Sequence, residues 1–583
     1  MIGRRFKDAI ALRRWLVAAA LVCAVIFPGH GAAAAEKPLP LHARIDRAIR
    51  EAYDGPWATR ADDAEFLRRV SLDLTGSIPD VETARAFLDN PDTAKREQLI
   101  DRLLDSPQYA RRMATVFDVM LMERRGGNRI AAAEWQTYLR ESFARNKPFN
   151  RLASEILAAD GARRGPRAAA KFYLDRGGEP HLLTRDVARL FFGMNLQCAQ
   201  CHDHPLVDGY LQEDYYGIYA FLVRGYIVKD KKLGAEVFAE KAEGDVKYQS
   251  VFMPEETHET GPHLPGKPPI AEPQFKKDAC YEVAPADQVA AVPKFSRLAE
   301  LGRLVAGGAS EAMTKNIVNR LWALMMGRGL VNPVGWQHDD NPPSHPKLFN
   351  LLADDFVRTN FNVKAFLREL ALSETYQRSS QLPAGVTVAQ VPDDRYSVAT
   401  LKPLSPEQLA WSMMQATGVT DVRQSSALHK LAGDDPRFFE LLEADAPRRA
   451  IKASLLENTV HAGLQGQVGS FVNLFTGLPG TPDAYQASVQ QALFLSNSPQ
   501  VQGWLNPASA AGVGSLMAKL NQVEPTGAVA DELFLSVFTR RPTDEECDMV
   551  GSFLAQHPGE GRAPALKELA WALLTSAEFR FNH

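Results

Sequence analysis

The stretch Phe66-Leu-Arg-Arg-Val-Ser-Leu-Asp-Leu-Thr-Gly-Ser-Ile-Pro79 indicates how this chain folds. Its apolar side chains recur every three to four residues, at Phe66, Leu67, Val70 and Leu74. That spacing places them on one face of an α-helix, where they can be buried together. Pro79 then suits the first turn of another helix, because the N–H that proline lacks would be unpaired there anyway. The stretch therefore predicts two consecutive helices.

The same helical spacing extends in both directions from this stretch. It runs from about residue 41 to residue 225, and it returns from about residue 295 to the C-terminus. Between these regions, short β-like runs alternate with many glycine and proline residues, which interrupt helices. We predict a mainly α-helical protein in which two helical domains, 41–225 and 295–583, flank a small β-rich insert, 226–294.

The N-terminus has the composition of a signal peptide. Five basic residues precede an apolar run at 16–27, and alanines 32–35 precede Glu36. The apolar run is shorter than the roughly 20 residues of a membrane helix. The small residues after it favour cleavage over retention as an anchor. We expect residues 1–35 to be removed, the mature chain to be exported to the periplasm or cell surface, and no later segment to span a membrane.

Charge and cysteine content narrow the functional classes. The formal net charge is −4, and removal of residues 1–35, with five basic residues and one acidic residue, changes it to −8. No basic face suited to nucleic acid is expected on such a chain. Four cysteines remain after cleavage: Cys198, Cys201, Cys280 and Cys547. Whether Cys280 and Cys547 form a disulfide is left open by the sequence.

Cys198-Ala-Gln-Cys-His202 is the motif that indicates a chemistry. Two cysteines separated by two residues can form thioethers with the two vinyl groups of one haem, and the following histidine can bind the iron. We therefore predict haem c attachment at Cys198 and Cys201, with His202 as the proximal iron ligand. Phe191, Phe192, Tyr210, Tyr215, Tyr216, Tyr219 and Phe221 are expected to form the apolar wall around the haem.

Two other interpretations of the motif remain open. Cys198, Cys201, His202 and His204 contain the ligand types of a Cys2His2 zinc site, although histidines two residues apart fit one tetrahedral ion poorly. The cysteines could instead form a redox-active or structural disulfide, or remain inert thiols.

The sequence does not identify a second ligand for the haem iron. His204 and His345 are the further ligands that we consider, and an open iron position is the alternative. Met194, His181, His258 and His263 are also candidates, although a structural or exposed role is the simpler interpretation for each.

A second polar cluster lies at His338-Asp-Asp-Asn-Pro-Pro-Ser-His-Pro346. Its histidines and aspartates could bind a divalent metal or exchange protons. The structural alternative is a rigid turn in which Ser344 caps a helix that begins at Pro346. The chain contains no nucleotide-binding glycine loop and no HExxH or GxSxG motif.

Several motifs together resemble a known pair of families. Residues 66–79, Leu103-Leu-Asp-Ser-Pro-Gln-Tyr109 and Cys198–Pro205 resemble the planctomycetal cytochrome-like family called domain of unknown function 1549. Asn319-Arg-Leu-Trp322, Asn341–Pro346 and Ser373-Glu-Thr-Tyr376 resemble its usual fusion partner, domain of unknown function 1553. The resemblance implies a large exported protein with cytochrome character, but it implies no established reaction.

These observations favour an exported haem c protein that transfers electrons to or from an unidentified redox partner. One alternative is an exported enzyme of polysaccharide metabolism with a separate substrate site, acting on polysaccharide or cell-surface components. The other is a non-catalytic envelope scaffold in which the CxxCH motif is a zinc or disulfide clip.

Overall fold

The predicted helix at Phe66 forms between residues 63 and 75, and its ends show why. Asp62 precedes it, and the Asp62 carboxylate accepts a hydrogen bond from the Glu65 backbone N–H at 2.8 Å. Gly76 ends it with a φ of 78°, a left-handed conformation that glycine adopts without strain. Ten consecutive residues, Phe66–Thr75, are buried, so this helix is covered on all sides rather than on one face.

The structure is a computed structural model, and it describes residues 39–583 except for 126, 128, 277–278, 309, 435–445, 477–487 and 507–514. The predicted signal peptide, residues 1–35, lies outside the described residues. Within the described ranges, no helix is long and apolar enough to cross a membrane. Residues 41–583 belong to one compact unit.

The first helical region ends at residue 222, just before the β-rich insert. Its α-helices are α1 Leu41–Glu51, α2 Asp63–Thr75, α3 Val81–Asp89, α4 Lys95–Asp105, α5 Pro107–Met122, α6 Ala132–Ala144, α7 Phe149–Leu157, α8 Lys171–Leu174, α9 Pro180–Phe191 and α10 Gln212–Leu222. The predicted second helix begins at Val81 rather than near Pro79, because the Asp80 carboxylate accepts a hydrogen bond from the Thr83 N–H at 2.7 Å and caps the helix there.

The insert consists of three antiparallel strand pairs. They are β1 Gly225–Asp230 with β2 Ala235–Glu240, β3 Val246–Ser250 with β4 Met253–Thr260, and β5 Tyr281–Val283 with β6 Val292–Pro293. The mainly α-helical fold with a small β-rich insert is therefore confirmed.

The second helical region begins at residue 297 and extends to the C-terminus. Its α-helices are α11 Arg297–Ala306, α12 Glu311–Met326, α13 Pro346–Arg358, α14 Val363–Leu372, α15 Pro406–Ala416, α16 Val419–Asp434, α17 Ala446–Phe475, α18 Val489–Asn497, α19 Pro499–Trp504, α20 Leu516–Gln522, α21 Thr526–Phe538, α22 Asp544–Ala555, α23 Arg562–Thr575 and α24 Ala577–Arg580. One more strand pair, β7 Lys402–Pro403 with β8 Phe581–Asn582, joins the C-terminus to the middle of the chain.

The buried apolar residues do not divide at the insert. One cluster contains side chains of α1–α10 together with those of α11–α14, and it also includes Phe238 and Leu264 of the insert, Tyr396, and Leu535 of α21. The other cluster is built mainly from residues 409–579, with Leu72 and Ile78 contributed by the first region. Helices α11–α14 thus share a core with the first helical region, and they position the loop that follows α12 beside the CxxCH segment.

Asp73 lies at the centre of a buried polar junction between distant parts of the chain. Lys402 Nζ lies 2.7 Å from each Asp73 carboxylate oxygen and also donates to two carbonyl groups of α12. The Tyr376 hydroxyl donates to Asp73 at 2.8 Å, and the Asn582 amide donates at 2.9 Å. We call these four residues the Asp73 junction. It ties α2 to α12, to the segment after α14 and to the C-terminus.

Candidate functional site

The CxxCH motif lies on a short 3₁₀ turn after α9. Gly193, with a φ of 72°, turns the chain away from that helix, and Cys198–Gln200 then forms the turn. Ala199 is completely buried, whereas Cys198 and Cys201 are exposed thiols. The buried alanine anchors the turn, so that both sulfur atoms are accessible from solvent.

The ring of His202 is oriented by the residue that follows it. His202 Nδ1 lies 2.6 Å from the Asp203 carbonyl oxygen. A carbonyl oxygen only accepts, so Nδ1 carries the proton and the lone pair is on Nε2. An imidazole whose Nδ1–H donates to a backbone carbonyl is the usual arrangement of a histidine that binds a metal through Nε2.

Side chains of α10 hold the turn from behind. Gln212 Nε2 donates to the Gln200 carbonyl at 3.3 Å and to the Gln249 carbonyl at 3.1 Å. The Tyr216 hydroxyl donates to the same Gln200 carbonyl at 3.1 Å. The Asp203 carboxylate accepts from the Gln212 N–H at 2.7 Å, so Gln200 before His202 and Asp203 after it are both held by hydrogen bonds to α10.

Exposed apolar side chains lie close to the motif in the sequence or on the hairpin that contacts it. The β3–β4 hairpin reaches it, since the Val251 N–H donates to the Cys201 carbonyl at 3.0 Å. The Phe252 ring lies 4.9 Å from the His202 ring, centroid to centroid. The group, which we call the apolar rim, comprises Leu206 (81% exposed), Leu211 (41%), Val251 (59%), Phe252 (75%) and Met253 (45%). Exposed apolar side chains that cluster in this way commonly mark a binding site.

The expected aromatic wall is largely wrong. Phe191, Phe192, Tyr210, Tyr215 and Phe221 are at most 2% exposed and belong to the protein core, where packing leaves them no surface to offer a cofactor. Tyr216 does lie beside the motif, and burial, followed by the charge of a Cys201 thiolate, raises its pKa. The apolar rim provides the apolar surface instead. The sequence signal for it was the apolar triplet Val251-Phe252-Met253 within an otherwise polar segment.

The two further ligands considered from sequence lie in different environments. His204 is half-buried in the loop after the motif, and its Nδ1 accepts from the Leu206 N–H at 3.2 Å. His345 is buried at the start of α13, with Nδ1 3.0 Å from the Ser344 hydroxyl and its ring 5.7 Å from that of Tyr396. Burial and the nearby Arg395 lower the pKa of His345, which favours a neutral ring.

The other histidine candidates have structural contacts. His181 Nδ1 lies 2.8 Å from the Tyr215 hydroxyl, and the His181 ring stacks on Tyr219. His263 is buried, whereas His258 is exposed on β4. Within the ranges that the structure describes, no group of three or more His, Cys, Asp or Glu residues is arranged to hold a metal ion. The motif histidines are therefore not paired with the cysteines in a preformed Cys2His2 arrangement.

The second polar cluster lines a cavity of about 520 Å³. His338, Asp339 and Asn341 contribute to its wall, and the Tyr210 hydroxyl reaches the same loop by donating to the Gln337 carbonyl at 2.9 Å. The expected Ser344 cap is wrong. His345 occupies the capping position, and the Ser344 hydroxyl contacts its ring rather than the N–H groups of α13.

The residues of the motif fit covalently attached haem. The two thiols are accessible, His202 presents Nε2, and the apolar rim offers surface for a porphyrin without displacement of the core. The rim also lies at the protein surface.

Comparison with known proteins identifies two families in tandem. Residues 44–225 match the family described as PSCyt2, protein of unknown function (DUF1549). Residues 297–554 match the family described as PSD1, protein of unknown function (DUF1553). No curated protein and no solved structure matches the chain significantly. The order of the two matches confirms the resemblance that the motifs indicated.

Proposed function

The chain belongs to the proteins that fuse a DUF1549 domain to a DUF1553 domain, and from this premise we propose that it is an exported haem c protein that transfers electrons. The observation that carries the proposal is the coincidence of three features at one surface site: two accessible thiols, an oriented His202 and an exposed apolar rim.

Each feature has a role in holding the cofactor. The thiols of Cys198 and Cys201 would hold the haem through two thioether bonds, each formed when an S–H adds across a vinyl C=C bond. His202 Nε2 binds the iron, while the Nδ1–H bond to Asp203 prevents the ring from turning and increases its basicity. The apolar rim would offer apolar surface to the porphyrin. The haem supplies one-electron oxidation and reduction when it is attached.

The surface position of the site favours electron transfer to another protein. A haem edge beside Leu206 and Phe252 would be accessible to a partner, because both side chains project from the protein. We therefore expect a redox partner to dock over the apolar rim. Export is part of the proposal, since haem c attachment takes place outside the cytoplasm, and it relies on the signal-like composition of residues 1–35.

The test is to produce the full chain, with its own N-terminus, in cells that carry a haem-attachment system. We expect the wild type to retain haem on a denaturing gel and the Cys198→Ser, Cys201→Ser double variant to lose it entirely. Cys547→Ser is the matched control, because Cys547 lies on α22 in the other helical region. This control should retain haem.

Different results identify the alternatives. The wild-type protein could be colourless and release zinc on unfolding, with less zinc released from His202→Ala. That result would show that the motif is a zinc clip and not a haem site. Two thiols that become titratable only after reduction, without haem or zinc, would indicate a disulfide. An intact residue 1–35 segment on a cytoplasmic product would contradict export.

A further inference from the structure

The cavity beside the motif loop has the features of a binding site in its own right. It lies between the loop 331–343, the first turns of α12 and α13, and Leu264–Lys267 of the insert. Its volume of about 520 Å³ falls within the range that accommodates small molecules. It is separated from the CxxCH loop by Tyr210, whose ring lies 5.7 Å from that of His204 and 5.5 Å from that of His338.

His338 is the polar group in the cavity wall whose hydrogen bonding is incomplete. Its side chain is only 9% exposed, and Nδ1 has no hydrogen-bond partner among the described residues. The Asp340 carboxylate is 3.9 Å from Nδ1, beyond hydrogen-bond distance. A buried polar atom without a partner is costly, and such atoms often occur where a ligand supplies the missing bond.

The charges of the wall balance one another. Lys267 and Lys315 face Glu311 and Asp339, and Glu311 already pairs with Lys315 at 2.7 Å. The α12 N-terminus at the cavity is occupied by Ser310, which accepts from the Met313 N–H. The side chains thus provide no net charge to attract an anion or a cation, and a neutral ligand fits them best.

The wall combines flat apolar surface with many hydrogen-bonding groups. Pro343 and Phe349 provide apolar surface, while Asn341 and Asn350 provide amide groups. Trp336 is not part of the wall but lies on the same loop, 40% exposed, with its ring 6.3 Å from that of His338. A sugar ring matches this combination, because its C–H face packs on flat apolar groups and its hydroxyls both donate and accept.

We propose that this cavity binds a neutral, polyhydroxylated molecule, such as a mono- or disaccharide, with His338 bonded to one of its hydroxyl groups. The proposal concerns binding alone and does not rest on haem attachment, so either can fail without the other. If both hold, the bound molecule lies one aromatic side chain away from the loop that carries the motif.

The test is saturation-transfer NMR on the full mature chain, with D-glucose, D-galactose, D-xylose and cellobiose as neutral probes. Glucuronate and inorganic phosphate are the anionic probes. We expect saturable binding of at least one neutral probe. His338→Ala should weaken it about 10-fold, the loss of one hydrogen bond. His429→Ala, changed at an exposed position of α16, is the matched control and should bind as the wild type does.

His338→Gln keeps hydrogen-bonding capacity and serves if His338→Ala does not fold. Three results would overturn the proposal. The first is no saturable binding of any neutral probe. The second is neutral binding that both His338 variants leave unchanged. The third is selective binding of phosphate or glucuronate that is lost in Lys267→Ala, which would make the cavity an anion site.

Discussion

In most proteins apolar side chains are buried and ionisable side chains are exposed. The apolar rim departs from the first rule, and the Asp73 junction departs from the second. At the rim, Phe252 and Leu206 are 75% and 81% exposed although both are apolar. At the junction, Asp73 is 2% exposed although it is charged. The junction offsets the cost of burial within the chain, since Lys402, Tyr376 and Asn582 all donate to Asp73. The rim side chains remain exposed to solvent, and under the proposed function an attached haem would cover part of them.

The largest effect on folding should come from the junction. Lys402→Met leaves the Asp73 charge buried without its cation and should lower the free energy of unfolding by about 3–5 kcal/mol. Burial lowers the pKa of Lys402, while the charge of Asp73 and its hydrogen bond act in the opposite direction. Urea unfolding followed by tryptophan fluorescence measures the change.

The matched control for Lys402→Met is Lys364→Met. Lys364 forms an ion pair with Asp105 at 3.1 Å, but the Asp105 side chain is 79% exposed. Loss of this ion pair should lower the free energy of unfolding by less than about 1 kcal/mol, as is usual for ion pairs at the surface. Equal losses for the two variants would show that the Asp73 junction contributes no more than a surface contact.

The next effect in size concerns the pH dependence of stability and His461, a partly buried histidine of α17. Burial, then the charges of Arg140 and Arg111, lower the pKa of His461 to about 3. The unfolded chain therefore binds a proton near pH 6.5 that the folded chain does not bind. The contribution of neutral His461 to the free energy of unfolding is therefore fully present above pH 6.5 and declines as the pH falls toward 3.

Between pH 7 and pH 5, this proton should lower the free energy of unfolding by about 1–2 kcal/mol. His461→Gln should remove that part of the pH dependence, measured by urea unfolding at both pH values. His429→Gln, at an exposed position, should keep the wild-type slope. A His461→Gln variant with an unchanged slope would contradict the account.

The smallest effect on folding should come from the rim. Phe252→Ser removes a side chain that is 75% exposed, so it should change the free energy of unfolding by no more than about 0.5 kcal/mol. The same change should alter the absorbance spectrum of attached haem, because the Phe252 ring contacts that of His202. A large loss of stability with an unchanged spectrum would show that Phe252 is structural.

The fold was largely predictable because its signals are local. The apolar spacing around Phe66 predicts a helix, and the structure has one at Asp63–Thr75. Strand β4 could not be predicted, because most of its residues after Met253 are polar and all but Thr260 are exposed, so that the strand depends on its pairing with β3. The hydrophobic core that α1–α14 share could not be predicted from local sequence patterns either, because it depends on contacts between residues far apart in the chain.

The candidate site was predictable only in part, for the same reason. The motif Cys198–His202 is contiguous and could be recognised directly. The apolar rim is not contiguous, because the hairpin that carries Phe252 folds back onto Cys201. The aromatic wall predicted around the haem was wrong because closeness in sequence does not show which way a side chain faces. Helix α10 buries Tyr215 and Phe221 on its core side.

Intact mass spectrometry of the denatured wild-type protein, produced with a haem-attachment system, tests the central claim most directly. Denaturation removes any cofactor that is held only by contacts, so the mass reports covalent attachment alone. We predict a chain that begins near Glu36 and whose mass exceeds that of its amino-acid sequence by one haem. A chain with the unmodified mass, and with Cys198 and Cys201 both free to react with a thiol reagent, would contradict it.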